Sequence, residues 1–383
     1  MINAPMGTSD LDAVWQPDAP VSASFRQAIS GQLQEFLDQQ AEVLQPMGSE
    51  LGTVHRMAQE LLNGGKRLRP AFCAWGYVAA AGRPDDPGPL LRAAASLDVL
   101  HASALVHDDV MDGSDVRRGR PAAHRQFEAL HSAAGWLGDP ATFGHAGAIL
   151  LGDLLLMWSV EMLQRAGLPD AQLRAALPLV QAMRTEVTCG QYLDVLAQVH
   201  PLHPATGSAR NAAAAALADE NRVVELKSAR YTVQRPCQIG AALGGADEAL
   251  QSALAAYGSP LGRAFQFRDD LLGVFGDPLV TGKPAGDDLR EGKRTVLVAH
   301  AHARSSAAGQ ELLVRLLGDP RLDDTGIALL QDVIISSGAK DAVEAMIDDG
   351  YGQALDALAA ADITAEGRIA LTALAGAAVH REL

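Results

Sequence analysis

Two aspartate-rich segments, each inside a long apolar stretch with helical patterning, are the part of this chain best suited to chemistry. The first reads His-Asp-Asp-Val-Met-Asp over 107–112, and the second reads Gln-Phe-Arg-Asp-Asp over 266–270. On a helix Asp108 and Asp112 share one face, where like charges repel and burial adds to the cost. Such a pair needs a compensating cation. Carboxylate oxygens favour a hard ion, so the pattern predicts Mg²⁺ bound together with a substrate diphosphate.

Basic residues occur near both acidic segments. The stretch Gly64 to Pro70 (GGKRLRP) opens a helix after a glycine pair, and amides with positive side chains at a helix N-terminus bind anions. Arg117 and Arg118 follow the first aspartates after a Gly-Ser break. The Gly- and Lys-containing stretch 276–295 predicts a mobile lid over a phosphate. Taken singly, these features also fit a solvated turn, a surface basic pair and an ordinary loop.

Helical patterns must position these residues, because no alternating strand pattern is found. The predicted helices cover 22–45, 51–64, 68–82, 88–112, 122–131, 145–166, 171–199, 212–233, 236–243, 247–275, 292–303, 308–317, 323–336, 339–360 and 365–381. Clusters of Gly, Pro and Asp separate them, and no stretch has the composition of an interdomain linker. The sequence therefore predicts an all-α protein with a disordered lead-in over 1–20 and one catalytic domain over 21–383.

Composition narrows the class of protein. The formal charge of −15, from 31 basic and 46 acidic residues, argues against a nucleic-acid-binding surface. Three scattered cysteines predict reduced thiols in a cytoplasmic protein. The most apolar run, 146–160, is broken by Asp153 and is too short to span a membrane. We therefore expect neither nucleic acid nor a membrane span.

Order and spacing of these motifs resemble the trans-prenyltransferase (polyprenyl diphosphate synthase) family, and most closely its bacterial geranylgeranyl diphosphate synthases. The resemblance runs from Phe25 to the C-terminus. It is carried by GGKRLRP, HASALVHDDVMDGSDVRRGRPAAH, GDLLL, GQYLD, ELKSA and FQFRDDLLGVFGD with GKPAGDDLREGKRT. It implies an isoprenoid-synthase-type helical bundle around a deep central cavity, and a homodimer.

The resemblance also implies roles by position. It implies that Asp108, Asp112 and Asp269 bind three Mg²⁺ ions, for which Mn²⁺ can substitute. Asp270 and Asp288 support this metal site. The residues implied to bind isopentenyl diphosphate are Lys66, Arg69, His101 and Arg118. Those implied to bind the allylic diphosphate are Arg117, Lys227, Lys283 and Lys293. Stabilisation of the allylic cation falls to Gln191, Gln266 and Ser228, the last standing where the family usually has threonine.

Two features depart from the family pattern. The second acidic motif reads Asp-Asp-Leu-Leu-Gly, so Gly273 stands where a third acid is usual, although Asp277 and residues 287–288 keep the region acidic. The segment Gly135–His145 resembles an insertion relative to shorter family members, and the sequence assigns it no role.

Product length is predicted from the residues that precede Asp108. Ala104 and Ser103, four and five positions earlier, are small, whereas a bulky aromatic there stops family members at fifteen carbons. Leu100 and Leu97 lie about one and two turns deeper and suit a floor for twenty carbons. Alternatively, Ser103 and Ala104 only permit close helix packing, which leaves product length open.

The resemblance therefore implies Mg²⁺-dependent condensation of isopentenyl diphosphate with dimethylallyl, geranyl or farnesyl diphosphate to give linear geranylgeranyl diphosphate. Three alternatives remain at this stage. They are a synthase of chains of 25 or more carbons, a class I terpene cyclase and a non-catalytic regulatory subunit. A cyclase needs no second diphosphate site, and a regulatory subunit typically loses aspartates that this chain keeps.

Overall fold

The computed structural model describes residues 13–199, 217–277, 286–319 and 321–380. Within these residues the structure is helical apart from one short β-ribbon, which confirms the predicted all-α class. The helices are α1 (Ala23–Leu44), α2 (Leu51–Leu62), α3 (Leu68–Ala81), α4 (Gly88–Met111), α5 (Ala123–Ala134), α6 (Pro140–Gln164), α7 (Asp170–Val199), α8 (Arg235–Leu243), α9 (Glu248–Phe275), α10 (Asp287–Arg290), α11 (Val296–Arg304), α12 (Ala307–Leu316), α13 (Asp324–Ser336), α14 (Ala339–Ala360) and α15 (Ala365–Val379). A 3₁₀ turn (Gln45–Met47) and a π-helical segment (Val224–Gln234) complete them.

The β-ribbon is a feature that the sequence patterns did not reveal. Strands β1 (Val116–Arg117) and β2 (Arg120–Pro121) pair antiparallel, with Val116 opposite Pro121 and Arg117 opposite Arg120. Two-residue strands are too short to show the alternation on which strand prediction depends. The turn between them contains Arg118 at φ +53° and Gly119 at φ +73°. The ribbon and its turn therefore set the directions of the Arg117 and Arg118 side chains.

The chain forms two compact units, whereas the sequence predicted one domain over 21–383. The first unit contains Met1–Val180, Arg235–Leu254 and Leu358–Leu374, and the second contains Gln181–Gln234, Ala255–Ala357 and Ala375–Leu383. Each unit is therefore assembled from three separate stretches of the chain. A division of this kind leaves no linker of distinctive composition, which explains why the sequence did not show it.

In the first unit, α4 packs along α6, and α3 packs along α8. The α3–α8 contact depends on glycine, since a Cβ added to Gly240 would lie 1.8 Å from the carbonyl oxygen of Cys73. Likewise, a Cβ added to Gly76 would lie 2.4 Å from the carbonyl oxygen of Cys237. Both thiols are buried and free. The close contact of these helices gives α4, their neighbour, a rigid support.

In the second unit, glycines on α7 and α9 hold the π-helical segment. A Cβ added to Gly190 would lie 2.5 Å from the backbone nitrogen of Lys227, and one added to Gly262 would lie 2.5 Å from Cα of Ala229. A Cβ added to Gly258 would likewise lie 2.5 Å from Cα of Gln234. Backbone-to-backbone approach of this kind excludes side chains at the contact, so the π-helical segment is tightly packed on both sides.

Residues 13–20 are ordered, so the prediction of a disordered lead-in is wrong for them. Trp15 is 4% exposed and packs edge-on against Trp75 at 5.4 Å between ring centroids. The Trp75 indole N–H donates a hydrogen bond to the Pro20 carbonyl at 3.1 Å. An aromatic anchor in an otherwise polar, Pro-containing stretch supplies the burial that composition alone did not indicate.

Three predicted helix boundaries need correction. α6 begins at Pro140 rather than near 145, because Asp139 caps it by accepting from the Thr142 N–H at 2.9 Å and Pro is favoured at the first helical position. The presumed insertion is therefore mostly a helix start. α11 begins at Val296 rather than 292, after an N-cap by Thr295. The patterned helix predicted over 212–233 is π-helical from Val224, and residues 212–216 lie outside the described ones.

Two of the described helices, α4 and α6, are long and apolar enough to cross a membrane by length and composition alone. The most apolar window of α4 is 72% buried inside the protein, and that of α6 is 44% buried. Core helices pass the same test, so this is weak evidence for a span. The expectation of no membrane span stays a prediction.

Candidate active site

The last turn of α4 carries the first acidic motif. Carboxylate oxygens of Asp108 and Asp112 lie within 4.8 Å of one another, and Asp112 caps the helix by donating its N–H to the Asp108 carbonyl at 2.8 Å. Two hard anionic ligands at this separation fit divalent cations shared with phosphate oxygens. The residues present therefore suit Mg²⁺.

The middle aspartate of this motif has a different role. Asp109 is 1% exposed, and its Oδ1 accepts from Nε of Arg117 at 2.9 Å and also from Nη2 of that guanidinium. Nη2 of Arg117 lies 3.5 Å from Oδ2 of Asp108. The buried Asp109–Arg117 pair thus anchors the β-ribbon on α4 and places the positive charge of Arg117 beside Asp108.

Arg69, His101 and Arg118 lie within electrostatic reach of one another in the first unit. Together with Lys66, which follows Gly65 in the glycine loop, they form what we call the cationic corner. The glycine loop approaches the β-ribbon closely, because a Cβ added to Gly65 would lie 3.5 Å from Nη2 of Arg118. Nη1 of Arg118 donates to the Leu61 carbonyl at 3.4 Å. Burial lowers the pKa of Arg118, and the corner therefore contains partly desolvated positive charge, which favours a bound anion.

His101 is neutral in this corner. Burial lowers its pKa well below the ordinary value, and the nearby charges of Arg69 and Arg118 lower it further. A neutral imidazole both donates and accepts a hydrogen bond, so His101 can contact a diphosphate without adding charge.

Two further residues of the corner were missed from the sequence. Arg67, which stands inside GGKRLRP, is 5% exposed, and its Nη1 donates to Oδ2 of Asp98 at 2.8 Å. Asp98 lies three residues before His101 on α4, a spacing that places both on one side of the helix. Burial raises the pKa of Asp98, and the guanidinium groups, Arg67 first, oppose that rise.

The residues predicted to set chain length lie on different faces of α4. The Ser103 side chain is buried, and its hydroxyl donates to the Gly152 carbonyl of α6 at 2.7 Å. Ser103 therefore serves helix packing rather than the face that carries Asp108. Ala104 shares that face at four residues' spacing and is half-buried. Leu100 and Leu97 are buried.

The second unit carries its own set of predicted residues on α7, the π-helical segment and α9. Nζ of Lys227 donates to Oδ2 of Asp194 at 2.5 Å. Asp194, which ends the GQYLD motif, was missed as a functional residue, and Gln191 lies three residues before it on α7. A π-helical bulge is a frequent feature of functional sites, and here it contains Lys227, which bonds to α7, and Ser228, which bonds to α9.

A hydrogen-bonded chain links the π-helical segment to the second acidic motif. Ser228 Oγ donates to Oε1 of Gln266 at 2.5 Å, and Nε2 of Gln266 donates to Oδ1 of Asp270 at 2.8 Å. Because its proton is engaged, the Ser228 oxygen keeps its lone pairs for an electron-poor neighbour. Asp270 is 4% exposed, and burial, with Asp288 and Asp269 nearby, raises its pKa to about 8.

The glycine that ends the second motif makes room for a carboxylate from another helix. A Cβ added to Gly273 would lie 1.9 Å from Oδ2 of Asp288, which is on α10. Asp288 thus occupies the space beside Asp269 and Asp270 where the family pattern places a third acid on α9. The carboxylate that lies against Gly273 therefore comes from a residue fifteen positions later in the chain.

Further acidic side chains of the second unit lie near Asp288 and Asp270. Nζ of Lys293 lies 2.7 Å from Glu291 and 3.6 Å from Asp288. Glu220, which sequence reasoning missed, is 9% exposed, and burial, followed by the charges of Asp194 and Asp270, raises its pKa to about 8. No motif marked Glu220. Lys283 and the rest of residues 278–285 of the predicted lid lie outside the described residues.

Comparison with known proteins assigns the family. Residues 52–331 match the family model described as Polyprenyl synthetase. A geranylgeranyl pyrophosphate synthase from Corynebacterium glutamicum, solved with isoprenyl diphosphate and magnesium, is 38% identical, with a TM-score of 0.87 over 96% of this chain and 100% of that one. A geranylfarnesyl diphosphate synthase from Aeropyrum pernix is 31% identical over 73% of this chain and 79% of its own length. A farnesyl diphosphate synthase from Mycobacterium tuberculosis is 30% identical over 86% and 84%. The chain belongs to the polyprenyl synthetase family.

Proposed function

We propose that this trans-prenyl diphosphate synthase joins isopentenyl diphosphate head-to-tail to an allylic diphosphate, with Mg²⁺, and releases linear geranylgeranyl diphosphate. The observation that carries the proposal is the arrangement of charge along α4. His101, in the cationic corner, precedes Asp108 by seven residues, which on a helix corresponds to about 10 Å. One helix thus carries an anion site and a carboxylate pair at a distance suited to two diphosphates.

Each diphosphate has its own set of residues in this proposal. Lys66, Arg69 and Arg118 neutralise the diphosphate of isopentenyl diphosphate, and neutral His101 adds a hydrogen bond. On the allylic side, carboxylates from both motifs hold Mg²⁺, which when bound neutralises the diphosphate and improves it as a leaving group. These are Asp108, Asp112 and Asp269, supported by Asp270 and Asp288. The Corynebacterium glutamicum relative, solved with magnesium and isoprenyl diphosphate, supports a site for these two kinds of ligand.

The reaction then follows from the residue types. Arg117, Lys227, Lys283 and Lys293 stabilise the negative charge that grows on the allylic diphosphate as its C–O bond breaks. Oxygen dipoles of Ser228, Gln191 and Gln266 stabilise the allylic cation, and apolar walls keep water away from it. The double bond of isopentenyl diphosphate attacks the cation, and the departing diphosphate accepts the proton that is lost. His101, neutral and beside cations, serves in binding rather than as a base.

Product length rests on the face of α4 below Asp108. Ala104 is small and half-buried there, which leaves room beyond fifteen carbons, and buried Leu100 and Leu97 lie deeper. Similarity to a geranylfarnesyl diphosphate synthase keeps a 25-carbon product as the second candidate. We propose that Leu97 and Leu100 form the floor of the product pocket.

We also propose a cytoplasmic homodimer without a membrane span. Its support is an exposed apolar face on α6, where Ile149, Leu150 and Met157 are 44%, 67% and 59% exposed. Covering such a face with a second copy removes apolar surface from water. Light scattering should give about twice the 40.1 kDa chain mass, and Leu150→Asp should reduce that to one chain. An unchanged mass in the variant would place the interface elsewhere.

The proposed function is tested by incubating the purified protein with isopentenyl diphosphate, Mg²⁺ and each of the three allylic primers. The products are dephosphorylated and identified by mass. A dominant linear C20 alcohol is the expected result. A C25 alcohol would keep the reaction and move the floor deeper. Cyclic hydrocarbon from a supplied prenyl diphosphate, without elongation, would contradict the proposal.

A further inference from the structure

Arg67 differs from the other basic residues of GGKRLRP in where its charge lies. Its backbone is left-handed at φ +54°, and its side chain is 4% exposed, whereas the preceding Lys66 is exposed to solvent. A non-glycine residue in this conformation stores backbone strain, which persists only where surrounding contacts over-determine it. Arg67 is therefore held in place by its side chain.

The Arg67 guanidinium joins three helices. Nη1 donates to Oδ2 of Asp98 on α4 at 2.8 Å, and Nη2 donates to Oγ of Ser30 on α1 at 3.1 Å. Nη2 also donates to the Leu62 carbonyl at 2.7 Å, at the C-terminus of α2. These bonds use the guanidinium inside the protein, so Arg67 does not serve as a ligand for a bound anion.

Asp98 is the more informative partner, because its charge is unfavourable for the proposed ligand. Its carboxylate side chain is 11% exposed and lies within the electrostatic reach of Arg67, Arg69 and Arg118. A carboxylate in this place repels a diphosphate and neutralises part of the charge that attracts it. Its contribution must therefore be geometric: it fixes Arg67, and through Arg67 the loop that carries Lys66 and Arg69.

We propose that Arg67 and Asp98 are positioning residues for the diphosphate of isopentenyl diphosphate. The pair locks the glycine loop onto α4, so that the ligating cations are arranged before the substrate arrives. This inference rests on the proposed function, since it concerns the same cationic corner. Preorganisation of this kind lowers the cost of ordering long basic side chains on binding.

Substitution of Asp98 separates positioning from simple electrostatics, because the two make opposite predictions. Removing a negative charge in Asp98→Asn should tighten diphosphate binding if the corner acts only through its net charge. If the pair positions the ligands, the KM for isopentenyl diphosphate should rise about tenfold, with the KM for the allylic primer changed less than about twofold. A KM for isopentenyl diphosphate that falls or stays unchanged would overturn the inference.

Matched variants control for charge and folding. Asp115→Asn removes an exposed carboxylate of the same unit that pairs with Arg125 at 2.7 Å, and it should leave both KM values unchanged. Asp98→Glu and Arg67→Lys keep the charges but change the reach, and each should also raise the KM for isopentenyl diphosphate. These two variants carry the test if Asp98→Asn does not fold. Wild-type affinity in both would overturn the inference.

A double substitution tests whether the two residues act as one device. Arg67→Lys combined with Asp98→Asn should raise the KM for isopentenyl diphosphate no more than the worse single variant. Additive effects would contradict a shared role. Calorimetric titration with isopentenyl diphosphate alone gives the same comparison without turnover. If the wild-type protein elongates no primer, the proposed function fails. If it elongates and the variants bind normally, only the positioning role fails.

Discussion

The cationic corner of the first unit and the acidic cluster of the second unit show opposite electrostatic shifts. We define the acidic cluster as Asp194, Glu220, Asp269, Asp270 and Asp288. In the corner, burial together with surrounding arginines holds the pKa of His101 well below its ordinary value. In the cluster, burial together with neighbouring carboxylates raises the pKa of Asp270 and of Glu220 to about 8. Each region has a surplus of one sign, which a ligand of the other sign relieves. The corner suits an anion, and the cluster suits a cation.

The two regions also differ in how the chain builds them. The corner depends on turns, with Gly65, Arg67 and Arg118 all at positive φ. The cluster depends on close helix contacts, with Gly190 against Lys227 and Gly273 against Asp288. Turn motifs are compact in sequence and easily read, whereas helix contacts join residues that are distant in sequence. The residues of the corner are accordingly easier to recognise in the sequence than those of the acidic cluster.

The largest expected effect tests whether the carboxylates act through a cation. Asp108→Asn preserves shape and removes one negative charge, so the turnover number should fall by about a thousandfold or more. The exposed Asp115→Asn serves as control and should keep wild-type turnover. Steady-state kinetics at saturating Mg²⁺ measure both. Near-normal turnover in Asp108→Asn would refute the metal assignment.

A second variant tests whether Asp288 replaces the acid that is missing at Gly273. The methyl group of Gly273→Ala would meet Asp288 and displace its carboxylate, so turnover should fall about tenfold and the Mg²⁺ concentration for half-maximal activity should rise. Gly352→Ala, in a helix with nothing within 4 Å of the added Cβ, is the matched control. If the two variants have the same turnover and the same Mg²⁺ dependence, Asp288 does not replace the missing acid.

Two phenylalanine substitutions distinguish the face of α4 that carries Asp108 and Ala104 from the face that packs Ser103 against α6. Ala104→Phe should shorten the main product from C20 to C15, because the ring blocks the face that carries Asp108. Ser103→Phe should instead clash with α6 and lower stability by about 1–3 kcal/mol. Product masses and thermal melts separate these outcomes. Shortening by Ser103→Phe alone, in a stable protein, would reverse the assignment of the two faces.

The smallest effect concerns the pH dependence of stability. The pKa of Glu220 is about 8 in the folded protein, against an ordinary value of 4.5, so its folded state favours the protonated form. That contribution is complete below about pH 4.5 and is lost as the pH rises through about 8. Relative to Glu220→Gln, the wild-type free energy of unfolding should therefore fall by about 2 kcal/mol between pH 6.5 and pH 9. Urea unfolding without divalent cations measures it, and parallel curves would contradict the shift.

Much of the site could be predicted because its residues lie within short motifs. Asp108 and Asp112 share a helix face by spacing alone, and GGKRLRP and the Arg117–Arg118 pair indicate an anion site by composition. The pairings between motifs could not be predicted. Arg67 and Asp98 are 31 residues apart, and Lys227 and Asp194 are 33 apart, so only the folded chain brings them together.

Parts of the fold were hidden for other physical reasons. The start of α6 depends on the Asp139–Pro140 cap, and the order of residues 13–20 depends on one buried ring, Trp15. Neither changes the periodicity on which helix prediction rests. The π-helical segment has no sequence signature, since its hydrogen-bond register is set by packing against glycines of α7 and α9.

In the proposed function, the cationic corner binds a diphosphate through side-chain cations, whereas the carboxylates bind one only through metal. Calorimetric titration with isopentenyl diphosphate, and separately with an unreactive farnesyl thiolodiphosphate, each with Mg²⁺ and with a chelator, tests it most directly. We expect isopentenyl diphosphate to bind with similar affinity in both conditions, whereas the farnesyl analogue should bind only with Mg²⁺. Equal dependence of both ligands on Mg²⁺ would contradict it.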